Sequence, residues 1–311
     1  MKISSSSGVP VYTDYKENII VEPEHSILAW KANKDRLRHS GLPKLCSVHS
    51  EDALTWNVFR TLQIKNRIQC LTNIFAPGID PYQIWFWGHD ASKQSEKIDR
   101  EIQDILNQME PWGKDGLKQQ TEPDVILRGK RQIVMVECKL GKTRQEVKAW
   151  RRSSTGMRRE YAVFMKEQGF KLFNDSFDYE RDGNRFYQLF RNYVLGAALA
   201  SKWNTGFSLL VIVNALNSNF EGRSHQDEFD SFRAVLADPS NAFLITWQQI
   251  FNALPKQEDL LPLRNYMAGH PLLGFLQRLG HGMPCPYCMV GAHAPTYPKR
   301  AFWCHCEESF R

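Results

Sequence analysis

Apolar residues recur every three to four positions from about residue 47 to 70, with Leu54, Val58 and Leu62 at i, i+4 and i+8. That period predicts an amphipathic helix with one buried stripe. The run YQIWFW at 82–87 is aromatic and bounded by Pro81 and Gly88, which predicts a strand. A helix follows over 94–109 and is stopped by Pro111. Residues 122–140, EPDVILRGKRQIVMVECKL, hold two β-rich runs, 125–127 and 133–138, around the polar turn RGKR. This is a hairpin signal. Residues 142–170 read as helix or loop and are strongly basic. Beyond them the pattern predicts a helix at 186–203, a buried strand at 207–213, a helix at 227–236, and a short strand at 243–246 running into a helix at 247–254. A further helix is predicted at 26–37 within an otherwise polar, irregular N-terminus. No internal repeat is present. The order of elements predicts an α/β fold with a mixed central sheet flanked by helices. Three parts are expected: an N-terminal extension over 1–45, a core over 46–260, and a C-terminal segment over 261–311.

Composition narrows the class. The chain has 311 residues, 42% of them hydrophobic and 24% charged, the profile of a globular protein with a full core. The apolar runs are far shorter than the roughly 20 residues a bilayer span needs, and the N-terminus MKISSSSGVPVYTD lacks the apolar stretch of a secretory signal. Seven cysteines, four of them in the last 27 residues, indicate a local metal site instead of a disulfide framework. A cytoplasmic protein is expected. Net charge is +6, which permits a polyanionic partner without requiring one.

Candidate chemistry sits on the hairpin. A turn centred between Gly129 and Lys130 sets Asp124 opposite Met135. By the period of two, Met135, Glu137 and Lys139 share one sheet face. Asp124 is then a diagonal neighbour of Glu137, about 7–8 Å away. Two carboxylates at that separation can share Mg²⁺, which takes oxygen ligands and keeps waters for a phosphate substrate. Lys139 would orient a water or neutralise charge on the phosphate. The strand at 133–138 is nearly continuously apolar, so a charge pair at its end is costly unless it is used or paired.

Pro123-Asp124, twelve intervening residues, and Glu137-Cys138-Lys139 together resemble the PD-(D/E)XK nuclease superfamily. The resemblance extends over the element order from about residue 47 to 254, and implies a restriction-endonuclease-like core and metal-dependent cleavage of a phosphodiester, usually in DNA. It also implies a further acidic ligand on the preceding helix, for which Glu51 is the match, since it shares the stripe of Leu54 and Val58. Asp52 is expected to be a solvated first-turn acid. The superfamily's Gln on the helix after the Lys strand corresponds to Gln188. A bacterial restriction or phage-defence role is the biological analogy.

Two basic or metal-binding features remain. Lys142, Arg144, Lys148, Arg151, Arg152, Arg158 and Arg159 follow the Lys139 strand directly and would contact phosphates. Cys285-Pro-Tyr-Cys288 is followed fifteen residues later by Cys304-His-Cys306, a spacing that suits one structural Zn²⁺, with His281, His293 and His305 as alternative ligands. Cys46, Cys70 and Cys138 are expected to be buried small hydrophobes. The expected partners are DNA, a regulatory or ATPase protein, since the chain has no GxxxxGK[ST] loop of its own, and a second copy in a homodimer. The competing readings are a non-catalytic nucleic-acid or partner-binding module on the same fold, and an RNA-directed or structure-specific nuclease.

Overall fold

The computed structural model describes residues 2–3, 9–37, 40–111, 120, 122–140, 157–179, 181–215 and 225–274. Met1–Gly274 cluster as one compact unit and Phe275–Arg311 as a second, which lies wholly outside the described residues. The elements of the first unit are β1 (Lys2–Ile3), β2 (Pro10–Val11), α1 (Ser26–Lys34), α2 (Glu51–Ile64), α3 (Gln69–Phe75), β3 (Gln83–Phe86), β4 (His89–Asp90), α4 (Arg100–Met109), β5 (Val125–Arg128) and β6 (Gln132–Cys138). They continue with α5 (Met157–Glu167), α6 (Asp182–Arg185), α7 (Tyr187–Trp203), β7 (Gly206–Val213), α8 (His225–Arg233), β8 (Ala242–Thr246), α9 (Trp247–Ala253) and α10 (Leu261–Gly269).

Six strands form one mixed sheet in the order β4-β3-β5-β6-β7-β8. The strands from β4 to β6 pair antiparallel, and β6, β7 and β8 pair parallel. The change of sense follows from the connections. Tight turns can join antiparallel neighbours, whereas β6 to β7 and β7 to β8 need crossovers, which carry α7 and α8. One face of the sheet presents Trp85, Ile126, Ile133, Met135, Leu209 and Val211 to a core shared with α4, α5, α7 and α8. On the opposite face, the Trp56 ring of α2 lies 4.7 Å from that of Phe86.

The β5–β6 register differs from the expected one. Ile126 pairs with Met135 and Val125 with Val136, so the turn centres one residue later than predicted. Moving the centre by one shifts each residue's partner by two, which preserves the face of every side chain. Continued one step, this register sets Asp124 across from Glu137 instead of diagonal to it.

Other differences have local causes. The helix expected over 47–70 divides into α2 and α3, because Asn66 takes a left-handed φ of 53° between them. The strand expected at 82–87 stops at Phe86. Trp87 and Gly88, with φ of 51° and 85°, turn the chain back so that Phe86 pairs with His89. A two-residue turn with both φ positive is the hairpin type that matches strand twist. The helix expected at 94–109 starts only at Arg100, where the Asp99 side chain caps it by accepting the Glu101 N–H at 3.0 Å. The strand β4 and the helix α10 were not expected at all.

The first fifty residues are packed into this unit by side-chain hydrogen bonds from α2. Asn57 donates to the Asn18 carbonyl at 2.9 Å and accepts the Ile20 N–H at 3.0 Å. Trp56 Nε1 donates to the Val21 carbonyl at 2.9 Å, and Arg60 pairs with Glu22 at 2.6 Å. Among the described residues no helix is long and apolar enough to cross a membrane.

Helix α7 approaches the sheet closely at Gly196. A Cβ there would lie 2.7 Å from Met135 Cγ and 3.0 Å from Phe207. Gly196→Val is therefore expected to lower the unfolding free energy by about 1–3 kcal/mol, the usual cost of overpacking. Urea unfolding with an unchanged slope would show it, and an unaltered midpoint would refute the close approach.

Candidate active site

The site forms at the C-terminal end of β6, where the apolar strand gives way to Glu137, Cys138 and Lys139. Lys139 is anchored by its backbone: its N–H donates to the Ile212 carbonyl of β7 at 2.7 Å, and its carbonyl accepts from Trp247 Nε1 at 3.3 Å. Its side chain is buried, with Nζ 2.7 Å from Glu137 Oε1 and 3.5 Å from Glu51 Oε1. Glu51 is the first residue of α2, whose N-terminus is set by the Ser50 cap on the Ala53 N–H. Its Oε2 accepts the Leu140 N–H at 2.7 Å. Asp124 precedes β5, and its Oδ2 accepts the Cys138 N–H at 2.7 Å. The structure thus brings together Glu51, Asp124, Glu137 and Lys139.

Three carboxylates converge on the Lys139 ammonium, with the buried Arg191 guanidinium acting on Glu137 and the Lys31 ammonium on Asp124 through space. Asp124 keeps a partial opening to solvent although protein atoms surround it. Burial first, and Glu137 second, push its carboxyl well above the usual carboxylate range, against the opposing pull of Lys139 and the Cys138 N–H. Burial alone would lower the Lys139 ammonium, but Glu137, Glu51 and Asp124 outweigh it, and its pKa stands well above that of a free lysine. The Cys138 thiol is pushed up by burial and by Asp124, so it stays protonated and is no nucleophile.

One further side chain reaches the cluster by a hydrogen bond. Asn192 of α7 is 1% exposed and donates from Nδ2 to Glu137 Oε2 at 2.6 Å, so both Glu137 oxygens are engaged. The sequence reading missed it. Its one signal was a polar residue four positions after Gln188, on the sheet-facing stripe of an apolar helix. Gln188 is half-buried one turn earlier on that face, and its Oε1 is buried without a hydrogen-bond partner among the described residues. His225, at the start of α8, is held to about 4 by burial, then by the positive charge of Lys139, with Glu228 opposing. It is therefore neutral at physiological pH.

Several expectations resolve differently. Asp52 is not a solvated acid, since it lies 3.7 Å from the buried ammonium of Lys31. Cys46 and Cys138 are buried, whereas Cys70 is only partly so. Lys142, Arg144, Lys148, Arg151 and Arg152 lie outside the described residues, and although α5 includes Arg158 and Arg159, their side chains are not described. Cys285, Cys288, Cys304 and Cys306, with His281, His293 and His305, also lie outside them. Among the described residues no three His, Cys, Asp or Glu side chains form a ready-made metal cage.

A mixed sheet with an Asp before one strand and a Glu-x-Lys at the end of its antiparallel neighbour defines a restriction-endonuclease-like protein. Residues 9–270 match the family model described as restriction endonuclease associating with ARP. The chain belongs to that family, which gives it a nuclease-related function. No curated protein and no solved structure matches it significantly.

The raised Asp124 carboxyl has a consequence for stability. A carboxyl whose folded pKa exceeds its unfolded one favours the fold when protonated, and that contribution is lost as pH rises from the unfolded value to the folded one. Asp124→Asn keeps an oxygen for the Cys138 N–H and removes the charge. At pH 7 it should be more stable than the wild type by about 0.5–2 kcal/mol, as when a strained functional site is relieved. The gain should shrink as pH falls towards the ordinary carboxylate value of 3.8. Thermal unfolding of both proteins from pH 4 to 8 checks this, and a variant less stable at pH 7 would refute it.

Proposed function

We propose that this protein is a metal-dependent deoxyribonuclease that hydrolyses phosphodiester bonds and acts as an endonuclease in host defence or DNA processing. The observation that carries the reading is the convergence of Glu51, Asp124 and Glu137 with Lys139 at the end of β6. The donors on offer are carboxylate oxygens, which suit a hard cation such as Mg²⁺ or Mn²⁺. Mg²⁺ needs only one or two carboxylates, with water and substrate phosphate completing its shell, so a closed protein cage is not required. Asp124 and Glu137 are the proposed ligands, with Glu51 as a further one. A positive charge there would also relieve the repulsion that raises the Asp124 carboxyl.

Bound between these residues, the metal would supply an activated water and a polarised phosphoryl oxygen. The chain does the rest. Lys139, 2.7 Å from Glu137, presents a fixed positive charge towards the reacting phosphate. Asn192 fixes the orientation of the Glu137 carboxylate. Gln188, whose buried oxygen has no hydrogen-bond partner among the described residues, faces the same side and is assigned a supporting polar role. Lys142, Arg144, Lys148, Arg151, Arg152, Arg158 and Arg159 follow the site in sequence and would hold the DNA backbone. The C-terminal cysteines would bind structural Zn²⁺. The family's description names an association with ARP, and we assign the expected protein partner to that role.

The test is cleavage of circular and linear DNA with Mg²⁺ or Mn²⁺, with and without the partner. Wild type should nick circles only with metal present. Glu137→Ala and Lys139→Ala should each slow cutting by about 10²–10³-fold, the usual effect of losing a transition-state-stabilising group. Asn192→Leu, which leaves Glu137 in place but unsupported, should cost about tenfold. Equal cutting by the wild type and both Ala variants would reject the site, and cutting of RNA alone would reject the substrate.

A further inference from the structure

Lys31 belongs to α1, in the part of the chain that precedes the sheet, and is 5% exposed. Its ammonium lies 2.9 Å from Asp35, 3.3 Å from Glu122 and 3.7 Å from Asp52. It also stands 4.9 Å from the centre of the Trp87 ring. Two of these partners adjoin the active site in sequence. Asp52 follows Glu51 on α2, and Glu122 precedes Asp124 by two residues on the way into β5. Trp87 is a third link, because its backbone N–H donates to the Asp124 carbonyl at 3.3 Å.

We infer that Lys31 is a positioning residue for the active site: one buried ammonium ties α2 at Asp52 to the segment before β5 at Glu122, and so fixes Glu51 and Asp124 relative to each other. Glu51, Asp124 and Glu137 repel one another, so the Cys138 and Leu140 N–H donors that hold Asp124 and Glu51 need the elements carrying those two acids to be fixed as well. An ammonium removed from water is tolerated only when its donors are fully engaged. Burial pulls the Lys31 pKa down, but Asp52 and Asp35 outweigh it and it stays charged. Lys34 reinforces one arm by pairing with Glu122.

The catalytic meaning of this tether rests on the nuclease reading, but its geometry does not. Two backbone amides report on it without metal or DNA: Cys138 N–H, held by Asp124 Oδ2, and Leu140 N–H, held by Glu51 Oε2. Hydrogen exchange is measured by NMR on the full chain. In Lys31→Met both amides should exchange about 10–100-fold faster, as expected when charge-assisted hydrogen bonds are loosened, while the Val134 and Leu210 amides inside the sheet keep their wild-type rates. Lys31→Arg should restore protection.

The two arms should also separate. Asp52→Asn should quicken Leu140 more than Cys138, and Glu122→Gln the reverse. This crossed pattern is not produced by general destabilisation, and it carries the test if Lys31→Met does not fold. Unchanged amides in a folded Lys31→Met, or equal effects of the two arm variants, would overturn the inference. DNA cleavage is assayed on the same samples. A wild type that cuts no DNA either with or without the partner, while the crossed pattern appears, would sink the nuclease reading and leave the tether standing. A wild type that cuts while the amides of Lys31→Met do not change would do the opposite.

Discussion

The pair Glu137–Lys139, 2.7 Å apart at the end of the central strand, is the constraint around which the rest is arranged. Two charges taken out of water on one short stretch are stable only if every remaining donor and acceptor is met. Asn192 meets the second Glu137 oxygen, and Glu51 gives Lys139 a second carboxylate. The strand ends where it does for the same reason. β5 begins at Val125, so its backbone does not reach the Cys138 N–H, and the Asp124 side chain takes that position instead. Glu51 does the same for Leu140. The backbone donors released at the end of the ladder thus hold the acids in place.

That arrangement explains why so much polar architecture lies in front of the sheet. The first fifty residues meet α2 through Asn57, Trp56 and Arg60, all buried or nearly so. These bonds fix the helix whose first residue is Glu51. Lys31 then joins that helix to the approach to β5. A chain beginning at residue 46 would keep the strands and lose the means of setting the distance between two of the acids. The family match begins at residue 9 and so includes this segment.

The sequence carried local patterns well and long-range partnerships hardly at all. The strands at 125–127 and 133–138 and the helix at 186–203 were legible because apolar period and length are local properties. The shared face of Met135, Glu137 and Lys139 was legible because parity in a strand survives a two-residue shift of partner. The break at Asn66 and the Trp87-Gly88 turn were not, since both depend on non-glycine residues accepting positive φ under tertiary packing. Asn192 and Lys31 act on residues 55 and 91 positions away, and no window of sequence contains both ends of such a pair. Asp52 was misread for the same reason: a first-turn acid on a helix looks solvated until its partner arrives from another helix.

The two charge clusters differ in a way that separates structure from chemistry. Behind the site, Asp35, Asp52 and Glu122 are met by Lys31, Lys34 and Lys44, three acids against three ammonium groups. Within the site, Glu51, Asp124 and Glu137 converge on Lys139, while Arg191 acts on Glu137 and Lys31 on Asp124 through space. The raised Asp124 carboxyl works against folding at neutral pH, and the residue as a whole keeps a partial opening to solvent. A carboxyl kept above its usual range among other acids is what the proposed cation site needs, since a bound cation would lower it again.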